Sequence, residues 1–257
     1  MFKYAIVRRP SHSLIDGISQ TPEMGKPDYD LALQQHDRYV EILRECGLEV
    51  TVLEANEDYP DSVFIEDNAL CTPRGVAILS RPGAESRRGE ANLPDLREAL
   101  ARYYDDIEQV VEPGTTDPGD IMMVGDHYYI GLSGRTNQAA ADQITAILEK
   151  HGMTAETVPV TGILHLKDDV VYLDNNNLIV AKAYENHPAF ANFNKLVVDD
   201  DEYYAVNSLW INGKVIVPEG FPKTEQKIRD CGYEVILINT SEFEKITGSL
   251  TCMSLRF

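Results

Sequence analysis

The chain has 257 residues, 43% hydrophobic and 25% charged, enough apolar sequence for a sizeable core in one large domain or two small ones. Its 23 Lys and Arg stand against 42 Asp and Glu, a net charge of −19. That balance argues against nucleic acid and anionic membrane as partners, since both need a basic footprint, and weakly favours a cationic small molecule.

In chain order, residues 3–8 read as a strand, and the apolar run there is too short and broken for a signal peptide or a membrane span. Residues 10–27, with Ser, Gly and Thr, read as a long functional loop or lid. A helix over 28–46 and a strand over 49–53 follow. Then the order strand, strand, helix, strand repeats: 63–67, 76–80, 93–103, 107–111; then 120–124, 127–131, 137–150, 156–160; then 170–173, 178–181, a poorer helix over 188–193, 195–198; then 209–211, 215–217, 224–231, 234–238. Gly125-Asp126, Asn175 to Asn177 and Asn212-Gly213 supply turns. The first unit lacks only its leading strand, which the C-terminal run 253–257 can provide. The expected fold class is therefore α/β: five repeats closed into a five-fold pseudosymmetric ring by pairing of the two chain ends, leaving few exposed edges. An open α/β sheet without symmetry is the plainer alternative. No composition shift or Gly/Ser-rich linker divides the chain, so a single catalytic domain over 1–257 is expected.

Four cysteines, Cys46, Cys71, Cys231 and Cys252, form no CxxC pair and no metal-finger spacing. A cytoplasmic protein with free thiols is the simplest reading, with Cys46, Cys71 and Cys231 as small buried apolar residues. Cys252 differs in its company. Polar residues recur at or just before the first strand of each unit: Asp61 with Glu66 and Asp67, Asp117 with Asp120, His165, Asn207 with Ser208, then Cys252. In a ring, equivalent positions converge on one end of the axis. A thiol beside an imidazole suits nucleophilic catalysis with proton transfer. Carboxylates beside them suit a cation, above all a planar guanidinium. Each residue also has a plain structural reading: a small buried thiol, a hydrogen-bonded strand histidine, a solvated Glu-Asp turn, a Pro-Gly turn around Asp117, and a surface loop at Arg87-Arg88. Metal binding is the rival chemical reading, without ligand spacing to support it.

The motifs Pro60-Asp-Ser-Val-Phe-Ile-Glu-Asp67, Arg81-Pro-Gly-Ala-Glu-Ser-Arg-Arg-Gly-Glu90, Gly119-Asp-Ile-Met-Met, Gly131-Leu-Ser-Gly-Arg-Thr-Asn137, Leu164-His-Leu-Lys167 and Leu250-Thr-Cys-Met-Ser-Leu-Arg-Phe257 occur in order over essentially the whole chain. Together they resemble the dimethylarginine dimethylaminohydrolase family of guanidine-modifying enzymes, which have the pentein fold, a five-fold pseudosymmetric α/β propeller. The resemblance implies Cys252 as nucleophile, His165 as general acid/base and Asp117 as the acid supporting it. It implies Glu66 and Asp67 as guanidinium-binding acids and Asp61 as a further substrate-binding acid. Arg87 and Arg135 fall at the substrate's amino-acid end, and Ile18 and Ile246 contact substrate. The implied reaction converts Nω-methylated arginines to citrulline through a covalent cysteine adduct, with no metal and no cofactor. Ile246-Thr247-Gly248 departs from the family pattern, which more often has Asp at the middle position. Rival readings are arginine deiminase-like hydrolysis and a non-catalytic guanidine binder. A homodimer is compatible with the sequence.

Overall fold

The structure is a computed structural model that describes residues 1–257. Its elements in chain order are β1 (Tyr4–Arg8), α1 (Tyr29–Glu45) and β2 (Glu49–Leu53); β3 (Ala69–Cys71), β4 (Val76–Leu79), α2 (Pro94–Leu100) and β5 (Asp106–Gln109); β6 (Ile121–Val124), β7 (His127–Leu132), α3 (Gln138–Lys150) and β8 (Thr154–Pro159); α4 (Leu166–Asp169), β9 (Val170–Tyr172), β10 (Asn177–Ala181) and β11 (Asn194–Val198); β12 (Leu209–Ile211), β13 (Lys214–Pro218), α5 (Pro222–Asp230), β14 (Glu234–Ile238), α6 (Ser241–Glu244) and β15 (Leu255–Arg256). They form five three-stranded sheets, β15-β1-β2, β3-β4-β5, β6-β7-β8, β9-β10-β11 and β12-β13-β14. In each sheet the middle strand runs antiparallel to the first and parallel to the third. The C-terminal strand pairs with the N-terminal one, Ala5 opposite Arg256 and Ile6 opposite Leu255.

Local sequence explains the elements. Asp28 and Asn137 cap α1 and α3 by accepting the backbone N–H groups of Leu31 and Ala140. Asn175, Asn176 and Asn212 take the left-handed conformation that the hairpin turns require. Two departures from expectation stand out. Residues 63–67 are no strand: Ile65–Asn68 form a 3-10 turn and the strand begins at Ala69. The helix expected over 188–193 shrinks to the turn Pro188–Phe190, since no apolar stripe of helical period runs beyond it. Residues 10–27 carry only two short 3-10 turns, His12–Asp16 and Pro22–Met24. Cys231 is exposed rather than buried; Cys46 and Cys71 are buried as expected. No helix is long and apolar enough to cross a membrane.

The middle strands bury both faces, and side-chain alternation sends neighbours to different cores. On β4, Val76 and Ile78 pack with the third sheet, Ala77 and Leu79 with the first. On β10, Leu178 and Val180 face the third sheet, Ile179 and Ala181 the fifth. On β13, Val215 and Val217 face the fourth sheet. Ile216 faces the first sheet, with Ala5 and Val7 of β1. Five sheets thus share five apolar cores, one between each consecutive pair and one between the fifth and the first. The first strands of all five sheets also line one cavity of about 640 Å³, through Leu70, Met122, Val171, Trp210 and Leu255 among others.

Candidate active site

Each first strand is entered through a tight turn or a short helix: Ile65–Asn68 before β3, Pro118–Asp120 before β6, α4 before β9, Asp200–Val206 before β12 and Thr251–Met253 before β15. These lead-ins carry the polar residues singled out in the sequence. Asp61, Asp67, Arg87, Asp117, Arg135, His165, Ile18, Ile246 and Cys252 all line a single small cleft, together with Phe64, Leu164 and Thr247. Glu66 does not line it. It lines the large cavity instead, where its Oε1 meets Lys167 Nζ at 2.6 Å and Arg256 Nη2 at 2.7 Å, while its buried Oε2 has no partner.

The groups are held by many short contacts. His165 Nε2 lies 3.0 Å from Asp117 Oδ2. Asp117 Oδ1 accepts the Gly83 N–H at 2.8 Å, and Arg135 Nη1 is 3.7 Å from its Oδ2. Asp67 accepts from Arg87 Nη1 at 2.7 Å and from the Gly119 N–H at 3.1 Å. Arg87 is wholly committed within the protein: Nε and Nη2 donate to Glu90, and Nη2 also to the Phe64 carbonyl. Arg87 therefore buttresses Asp67 besides lining the cleft. Asp120, one of the recurring polar residues, does not line the cleft but accepts from Ser133, Thr136 and the Leu166 N–H, tying the third unit's lead-in to the helix behind His165. Around Cys252, Asn207 accepts the Thr251 N–H and Tyr39 donates to the Leu250 carbonyl.

One glycine here is a matter of space. A Cβ on Gly119 would lie 2.6 Å from His165 Nδ1 and 3.0 Å from Asp67 Oδ1, so only hydrogen fits. The Pro-Gly-Asp sequence read as a plain turn. Its glycine carried the signal of a close approach, but the partner 46 residues away was not legible.

Electrostatics follows from burial and carboxylates. Burial alone would lower the His165 pKa, but the Asp67 charge, the Asp117 hydrogen bond and the Asp120 charge outweigh it and push it up to about 10. Burial, then Asp67 and Glu66, drive the Cys252 thiol well above the ordinary range. Asp67 stays below the usual carboxylate range: burial opposes this, and His165 and Arg87 overcome it. Asp61 is raised, chiefly by burial. Both shifts favour a neutral thiol and an imidazolium at rest. Donor atoms of Asp67, Asp117 and His165 also lie within 4.8 Å of one another, a grouping that could hold a cation. Asp67 and Asp117 already accept from Arg87, Gly119 and Gly83, so the free valence of the set is small.

Five sheets of one topology, with Cys, His and carboxylates gathered in one cleft at their lead-ins, define the class: an α/β repeat protein with the constellation of a thiol-dependent guanidine-modifying enzyme. Residues 19–218 match the family model of the eukaryotic N,N dimethylarginine dimethylhydrolases. The chain is similar to the N(G),N(G)-dimethylarginine dimethylaminohydrolase of Pseudomonas aeruginosa, 48% identical over 258 residues with full coverage of both chains. It is also similar to the crystal structure of a cysteine-to-serine mutant of the Pseudomonas aeruginosa enzyme complexed with citrulline (TM-score 0.97, 48% identity, full coverage of both chains). A dimethylarginine dimethylaminohydrolase lacking a histidine, as its adduct with S-methyl-L-thiocitrulline, superposes with the same TM-score, identity and coverage. The chain belongs to the dimethylarginine dimethylaminohydrolase family.

Proposed function

We propose that this chain hydrolyses Nω,Nω-dimethyl-L-arginine, and Nω-methyl-L-arginine, to L-citrulline and dimethylamine or methylamine. The observation that carries the reading is the convergence of Cys252, His165, Asp117 and Asp67 on one buried cleft, where burial and Asp67 raise the thiol pKa and the carboxylates raise that of His165. A substrate guanidinium placed against Asp67 offsets the negative field that Asp67 and Glu66 set at Cys252 and lets the thiol release its proton to solvent.

The thiolate then attacks the guanidine carbon, forming a C–S bond. The C–N bond to the methylated amine breaks as the His165 imidazolium gives that nitrogen its proton. The now neutral His165 takes a proton from water, whose oxygen adds to the thiouronium carbon. Collapse breaks the C–S bond and leaves the urea group of citrulline, the hydroxyl proton passing to the departing sulfur and restoring the neutral thiol beside a protonated His165. Asp117 holds the imidazole in place throughout. Asp61 suits the substrate's α-ammonium. Arg135, with 18% of its side chain exposed and no short ion pair, is the freer of the two arginines for its carboxylate. The resemblance to a citrulline complex and to a thiocitrulline adduct supports this course.

We also infer that the five sheets close into a ring and that 1–257 is one catalytic domain. Five cores for five sheets is the number a closed ring needs, since an open row has four. A citrulline assay on asymmetric dimethylarginine tests the activity. Turnover of arginine exceeding that of the methylated substrates would point to deiminase-like hydrolysis instead, and binding without citrulline to a non-catalytic protein.

A further inference from the structure

The cleft over Cys252 has a free volume of only about 30 Å³, room for a water molecule or two, so an arginine-sized substrate enters only if its cover lifts. Ile18 lines the cleft, which makes the segment 17–20 around it the candidate for that cover. Gly17 passes so close to Asp61 and the Leu14 carbonyl that an added Cβ would lie 3.1 Å from each. The next three residues are each tied down once. The Ile18 N–H donates to Asp61 Oδ1 at 2.9 Å, the Ser19 hydroxyl to the Lys245 carbonyl at 2.6 Å, and the Gln20 N–H to Thr247 Oγ1 at 2.8 Å.

Thr247 is unusual in itself. It is β-branched yet has φ of 58°, a left-handed conformation such residues avoid. Gly248 after it is pinned, since an added Cβ would lie 2.1 Å from the Phe64 ring, and its carbonyl accepts from Tyr204 at 2.9 Å. The backbone of Thr247 is thereby fixed, and its hydroxyl is aimed at the cover. We propose that Thr247 is a positioning residue for the reaction: its hydroxyl is the catch that holds Gln20, and with it the segment 17–20, over the bound substrate. This rests on the hydrolase reading for what is retained. A neutral acceptor makes one modest hydrogen bond, strong enough to favour closure and weak enough to release in each catalytic cycle.

The test is Thr247→Val, which keeps the shape and removes the hydroxyl, beside Thr247→Ser, which restores it. Amide hydrogen exchange at Gln20 should quicken about 3- to 10-fold in Thr247→Val and return in Thr247→Ser. KM for dimethylarginine should rise by a similar factor with kcat undiminished. If the valine variant folds poorly, Thr247→Gly, which accepts the positive φ, gives the same readout. Unchanged Gln20 exchange, or a loss confined to kcat, would overturn the assignment. Exchange needs no turnover, so a chain that released no citrulline at all would sink the hydrolase reading and leave the catch still measurable.

Discussion

Two buried histidines in this molecule have opposite states. His36 on α1 and His165 ahead of β9 are 1% and 4% exposed, so each has lost nearly all contact with water. No acid acts on the His36 ring; burial, then the Arg9 charge, outweighs a backbone contact at Arg8 and lowers its pKa to about 4. His165 is buried as deeply but faces Asp67, Asp117 and Asp120, and lies at about 10. Burial alone makes a neutral core histidine. Burial among carboxylates favours a protonated imidazole, in the same cleft as a thiol whose ionisation those carboxylates oppose. The chemistry of the cleft comes from the acids rather than from the histidine.

The sharpest way to break the comparison is to remove what the charged region serves. Cys252→Ser should lower turnover by about 10⁴-fold or more with the fold retained; wild-type rates would rule out the nucleophile. His165→Gly should cost about 10²- to 10⁴-fold and let an adduct accumulate, read by mass spectrometry of the quenched protein. Asp67→Asn removes the leading carboxylate beside His165. The imidazole pKa should then fall toward the His36 end of the scale, followed by NMR, and kcat/KM should drop about 10- to 100-fold through the lost charge-assisted contact. Gly119→Ala forces a methyl against His165 Nδ1 and should reduce turnover and stability together, the latter by about 1–3 kcal/mol, seen as a lower Tm.

The smallest effect on activity belongs to the other histidine. Because His36 is neutral when folded and titrates near 6.5 when unfolded, its contribution is fully present above pH 6.5. That contribution drains away as pH falls toward 4, by about 3 kcal/mol in all. His36→Leu should flatten the Tm profile between those values and leave activity unchanged. A profile that stays as steep would remove His36 from the account. His165 has the reverse sign: its contribution is present below pH 6.5 and is lost as pH rises through about 10.

The repeat was legible because each unit punctuates itself. Gly125-Asp126 and Asn212-Gly213 mark hairpins, and Asp28 and Asn137 announce helices. The lead-ins were half legible. Val63-Phe-Ile-Glu-Asp67 has the composition of a strand, but Phe64 and Asp67 close a 3-10 turn that turns both acids inward. The polar residues that converge at the cleft could be picked out by their place in each unit. Their pairings could not, because Glu66 and Arg256 are 190 residues apart, as are many such contacts in a repeat protein that returns to its own beginning. Arg256, a charge between Leu255 and Phe257, carried a signal that the motifs overshadowed. Thr247 was visible as a departure from the family pattern, but its left-handed backbone and its bond to Gln20 exist only in the folded chain.

The central claim is that Cys252 is a neutral thiol until a guanidinium cancels the field of the acids. Ultraviolet thiolate absorbance, taken as the difference between this chain and its Cys252→Ser variant, measures it directly. Titrated near neutral pH, the difference should be absent in the free protein and appear as a substrate-like guanidinium saturates the cleft. A Cys252 thiolate already present near neutrality without the cation would contradict the account.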